Sequence, residues 1–125
     1  MNNLKQDAAA GLKELTSPRE GELEAVFIFP AELDIFSGHF PGRPIVPGVL
    51  ELEMVRAAME RFTGSPLRMV SVEKAKFVRE VKPKDRIALT LSFTASGRLL
   101  AVNGRALVGE EKAAQIELTL EKEQG

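Results

Sequence analysis

The chain has 125 residues, 44% hydrophobic and 28% charged, with a formal net charge of -1, which gives one domain over residues 1–125 and excludes a disordered tail and a basic nucleic-acid binder. No cysteine and a single histidine exclude disulfides, thiolate zinc sites and cysteine nucleophiles, and no metal site is expected. No apolar stretch approaches the ~20 residues of a membrane span, and MNNLKQDAAAGLKEL lacks the apolar core of a signal peptide, so a cytoplasmic protein that does not meet the membrane is expected.

Residues 1–20 are weakly patterned and poorly defined. Residues 4–15 suit a short helix interrupted by Gly11, and Ser17-Pro18-Arg19 reads as a break. Residues 22–29 (ELEAVFIF) alternate, with Leu23, Ala25, Phe27 and Phe29 on one side, and predict a strand that Pro30 stops. Residues 31–36 connect it to a loop with three prolines (Pro41, Pro44, Pro47) and three glycines (Gly38, Gly42, Gly48) around the only histidine, His39. Each proline fixes one φ angle and each glycine permits close approach, so the loop holds one shape at low entropic cost. Overlapping PxxP spacings are also present, but the apolar end of the loop favours a structural role over an SH3 ligand.

Residues 49–62 predict the one long helix, ended by Gly64 and Pro66. On a wheel, Val49, Glu53, Arg56 and Glu60 share one narrow face, and apolar side chains take most of the remaining circumference, so the helix is mostly enclosed. The N–H groups of Gly48, Val49 and Leu50 then find no partner inside the helix and lie at the positive end of its dipole, where a carbonyl oxygen or an anion fits. Strands follow at 69–79, 86–95, 98–108 and 113–121, joined by short turns that imply antiparallel pairing. Asn103-Gly104 is read as a bulge, because splitting 98–108 there leaves strands too short.

The order of one strand, one buried helix and four strands predicts an α+β domain, a hot-dog fold in which a curved antiparallel sheet wraps one long central helix. Such a sheet leaves edge strands open, and pairing of two chains covers them. Between residues 66 and 86 seven bases face three acids, whereas from 110 onward five acids face Lys112 and Lys122. Solvated strand faces explain this imbalance more simply than a binding patch, although a basic surface for an acidic partner stays open.

The run His39-Phe40-Pro41-Gly42-Arg43-Pro44-Ile45-Val46-Pro47-Gly48-Val49-Leu50, with Glu53 fourteen positions after the histidine, resembles the active-site motif of the 3-hydroxyacyl-acyl carrier protein dehydratases of fatty acid synthesis. Residues 75–79 and 81–85 resemble that family's third-strand signature and turn, and 106–118 its final hairpin. The resemblance implies a lyase that converts (3R)-3-hydroxyacyl thioesters to trans-2-enoyl thioesters, and since no nicotinamide, flavin or phosphate-loop fingerprint occurs, no bound cofactor is expected. The acyl chain arrives on the phosphopantetheine arm of acyl carrier protein, with coenzyme A as the other carrier. It implies a homodimer, or a trimer of dimers, in which His39 of one chain works with Glu53 of its partner.

The residue types suit that chemistry independently. His39 has an ordinary pKa near neutrality and suits a base. Glu53, on an apolar helix, is expected to have its pKa raised by desolvation and to hold a proton for the leaving hydroxyl. The orphan N–H of Gly48 at the helix start is expected to point at the thioester oxygen, which makes Gly48 and Val49 the expected oxyanion and substrate-binding positions. Glu53 has a bland reading too, because Arg56 lies three residues on and an ion pair between them lowers its pKa instead.

The chain departs from the family pattern in three places. No proline-histidine-arginine segment precedes residue 22, position 57 is Ala where the family commonly has Gln, and Arg56 and Glu60 add charge to the helix. A specialised polyene or polyketide pathway is therefore as open as primary fatty acid synthesis. The alternatives are a hot-dog acyl thioesterase, in which a carboxylate such as Glu53 activates water, and a catalytically silent acyl-binding module in which Arg56 neutralises Glu53.

Overall fold

A computed structural model describes residues 3–37, 42 and 44–123. The elements in chain order are α1 (Leu4–Gly11), β1 (Leu12–Arg19), β2 (Glu22–Phe27), α2 (Asp34–Ser37), α3 (Gly48–Thr63), β3 (Leu67–Phe77), β4 (Ile87–Ser96), β5 (Leu99–Val108) and β6 (Glu111–Lys122). The six strands form one antiparallel sheet in the order β1-β2-β4-β5-β6-β3. This is the expected hot-dog arrangement, a curved sheet with the long helix packed against it.

One side of the sheet is apolar because the strands alternate. Leu23, Ala25 and Phe27 of β2, Leu89 and Leu91 of β4, Leu100 and Val102 of β5, and Ile116, Leu118 and Leu120 of β6 are all buried, as are Leu50, Met54, Val55, Ala58 and Met59 of α3. The helix settles close over β5, because Gly104 has no side chain: a Cβ there would lie 2.9 Å from Leu91 Cδ2 and 3.4 Å from Val55 Cγ2. Gly64 ends α3 in the left-handed conformation, and its N–H donates to the Glu60 carbonyl at 2.8 Å.

Three local expectations change. The first helix ends at Gly11, and residues 12–19 form an additional strand where only the end of a helix and a break were expected. β1 is an edge strand with only Leu12 and Leu15 half-buried, so it lacks strong alternation, and an edge tolerates Pro18 without a lost ladder bond. Asn103-Gly104 is not a bulge: Asn103 pairs with Ser92 and Glu117, and Gly104 with Leu91 and Ile116, in unbroken register. The irregularity between β5 and β6 lies instead between Ala106 and Leu107. Arg56, assigned to the narrow polar face of α3, is buried.

Candidate active site at the start of the central helix

Gly38, His39, Phe40, Pro41 and Arg43 lie outside the described residues, so the expected base is not part of the geometry that follows. Beyond them the chain is fixed by the Val46 N–H, which donates to the Val81 carbonyl at 2.6 Å. Pro47 is the N-cap in extended conformation, and its carbonyl accepts from Leu50 N–H at 2.9 Å and Glu51 N–H at 3.2 Å. The N–H groups of Gly48 and Val49 therefore precede the intrahelical ladder.

Gly48 is held under an aromatic ring. A Cβ on it would lie 2.8 Å from Phe77 Cε2 and 2.9 Å from Cζ, so only a glycine lets the end of β3 come this close to the helix start. The two elements border a cleft of about 320 Å³, lined by Ile45, Val46, Gly48 and Glu51 on one side and Phe77, Val78, Arg79 and Glu80 on the other. Val49 points outward and is 54% exposed.

Glu53 is engaged by its own helix. Its Oε1 accepts from Arg56 Nε at 2.7 Å, and Arg56 Nη1 also reaches Glu60 Oε2 at 2.8 Å. Glu60 Oε2 further accepts from the Leu67 N–H at 2.7 Å, which ties the end of α3 to the start of β3. The ion pair allowed by the sequence spacing thus forms, around a guanidinium that is almost entirely buried.

The carboxyl with strongly raised proton affinity is Glu51, which the sequence reading passed over. It is 3% exposed, its Oε1 is the one buried side-chain oxygen among the described residues without a hydrogen-bond partner, and burial pushes its pKa up from 4.5 to about 8. A signal was available. Glu51 stands between Leu50 and Leu52, three residues after Gly48, and so on the helix face of the oxyanion position rather than on the Glu53 face. Among the described residues no group of three or more His, Cys, Asp or Glu side chains is placed to hold a metal, and no helix is long and apolar enough to cross a membrane.

Residues 15–115 match the sequence pattern of the family described as ApeI-like, ApeI dehydratase. The chain belongs to the ApeI-like dehydratase family. This family member is 35% identical over 95 residues to the 3-hydroxyacyl-acyl-carrier-protein dehydratase FabZ of Campylobacter hominis, covering 67% of the chain and 66% of that protein. It is 38% identical over 92 residues to the FabZ of Alkaliphilus metalliredigens, covering 67% and 63%. The ApeI-like chain thus spans slightly less than two thirds of these relatives' length.

Among solved structures, the dehydratase heterocomplex ApeI:P from Xenorhabdus doucetiae superposes with a TM-score of 0.72 at 22% identity, covering 89% of this chain and 96% of that one. The TT0310 protein from Thermus thermophilus gives 0.67 at 17% identity, covering 98% and 100%. At these identities the likeness is one of fold, and it is the hot-dog fold.

Proposed function

We propose that this chain dehydrates (3R)-3-hydroxyacyl thioesters on acyl carrier protein to trans-2-enoyl thioesters, in the cytoplasm and in a pathway of the fatty-acid type. The observation that carries the reading is the start of α3, where Gly48, ahead of the intrahelical hydrogen bonds, opens on a cleft beneath Phe77. The family and the FabZ relatives supply the reaction class.

The reaction moves a proton from the carbon next to the thioester carbonyl to a base, collects negative charge on the carbonyl oxygen, and breaks the C3–O bond as the hydroxyl takes a proton and leaves as water. His39 is the base, the Gly48 N–H stabilises the oxygen, Val49 flanks the substrate, and Glu53 of the partner subunit supplies the acid. To act there Glu53 exchanges its contact with Arg56 for one to the substrate. The oligomer is a homodimer joined along β3, an edge strand that exposes Val70, Val72 and Phe77, continued by Val78. The basic stretch 66–86, which reaches the cleft through Arg79, faces the acidic carrier.

One observation favours a second reading, an acyl-binding module without turnover: the buried Arg56 already engages Glu53. The deciding experiment is enoyl-thioester formation by the purified chain beside His39→Ala and Glu53→Gln, with acyl carrier protein and coenzyme A thioesters. Dehydration predicts product from wild type and a loss of about 10²-fold or more in each variant. Binding of 3-hydroxyacyl thioester with no product supports the silent module, and free thiol without enoyl product marks a thioesterase.

A further inference from the structure

We propose that Glu51 is a second donor to the thioester oxygen: its neutral carboxylic acid, together with the N–H at the start of α3, holds the substrate carbonyl as negative charge develops on it. The inference rests on the dehydratase reading and adds a catalytic residue to it.

The geometry supplies the first argument. Glu51 lies one helical turn beyond Gly48 and lines the same cleft, so a carbonyl held by the helix N-terminus lies on the Glu51 side of the helix. Its Oε1 is buried without a partner. Burying an unpaired polar group costs free energy that a purely structural site avoids, whereas a ligand oxygen in the cleft would satisfy it.

The second argument is chemical. Ile45, Val46, Phe77 and Val78 line the cleft together with Glu51, and burial of the carboxyl raises its pKa to about 8, so it carries a proton at neutral pH. The charged groups facing it across the cleft are Arg79 and Glu80. Arg79 lines the cleft, and its Nη1 donates to the Val108 carbonyl at 3.2 Å and lies 3.6 Å from Glu111 Oε1. On α3 itself, Arg56 is occupied by Glu53 and Glu60. A neutral carboxylic acid donates to an oxygen that has no proton of its own, and a thioester carbonyl is such an acceptor. Such donors in a dry site stabilise an enolate oxygen strongly.

The test is the pH dependence of enoyl formation from a 3-hydroxyacyl pantetheine thioester by wild type, Glu51→Gln and Glu51→Leu. Wild type should lose kcat as pH rises through about 8 and Glu51 ionises. Glu51→Gln keeps an N–H donor, so it should stay within roughly tenfold of wild type at pH 7 and lose that alkaline limb. Glu51→Leu should lose about 10²-fold or more in kcat. Wild-type kcat in a folded Glu51→Leu, or an unchanged alkaline limb in Glu51→Gln, overturns the proposal; if the Leu variant does not fold, the Gln profile decides. Absence of product from wild type sinks the dehydratase reading itself. The donor is then read from the carboxyl 13C signal of Glu51, identified by its absence from Glu51→Gln, on adding an enoyl pantetheine thioester: a shift of that signal supports the contact, and no shift overturns it.

Discussion

Glu53 Oε1 and Arg56 Nε lie 2.7 Å apart, and the same guanidinium reaches Glu60 at 2.8 Å and the Leu67 carbonyl at 3.4 Å. Arg56 is thereby the tie between the polar face of α3 and the first residue of β3. Such a buried cation is held by all of its partners together, and removing it leaves two carboxylates facing each other.

Arg56→Met should therefore destabilise the fold by about 3 kcal/mol, at the low end for breaking a buried ion pair because Glu53 and Glu60 retain some access to water. Urea unfolding reads this directly. A loss below about 1 kcal/mol would mean that the cluster behaves as a surface pair. Glu60→Gln should cost less, since the amide oxygen still accepts from the Leu67 N–H.

Gly48→Ala tests the cleft without charge chemistry. Alanine is a better helix former than glycine, so stability should change by less than about 1 kcal/mol. The new methyl, however, would sit 2.8 Å from the Phe77 ring, which is 45% exposed. The expected result is a native melting curve with enoyl formation reduced about tenfold or more, and partial recovery in Gly48→Ala/Phe77→Leu. Full activity in the single variant would remove Phe77 from the site.

How far each part could be read from the sequence follows from burial. Leu23, Ala25 and Phe27 alternate because one side of β2 is core, and Gly64 marks the helix end because the left-handed cap favours glycine. β1 escaped because an edge strand with few buried residues has no period to detect. Gly104 is read from the sequence as a bulge residue, whereas its missing Cβ makes room for Leu91 and Val55, a tertiary reason with no local signature. At the site, the Arg56–Glu53 pair was visible as an i,i+3 spacing. Glu51 was not singled out, because the burial of one charged residue among apolar neighbours depends on where loop 44–47 and the end of β3 close over it.

The β3 edge gives a prediction about assembly. Val70 and Val72 are each more than 40% exposed on a strand whose outer edge has no strand partner among the described residues. Val72→Lys should shift a dimer toward monomer in sedimentation without altering the far-ultraviolet spectrum, because charge on an edge blocks strand pairing. If the partner subunit contributes to the site, enoyl formation should fall in parallel. A dimer undisturbed by the substitution would place the interface elsewhere.

Glu51 should also write itself into the stability of the protein. Its folded-state pKa of about 8 lies above the ordinary 4.5, so the folded state binds more protons than the unfolded one between those values. Stability is then fully present below about pH 4.5 and is lost as pH rises through about 8. At ~1.4 kcal/mol for each tenfold change in proton affinity, the span from 4.5 to about 8 corresponds to a loss on the order of 5 kcal/mol, reduced by whatever water reaches the ionised group. Urea unfolding of wild type from pH 5 to 9 should show this fall, and Glu51→Gln, which cannot ionise, should flatten it and be the more stable protein at pH 9. Parallel curves for the two would mean that the carboxyl ionises without penalty, and the cleft would then be wet rather than the dry site that a neutral donor requires.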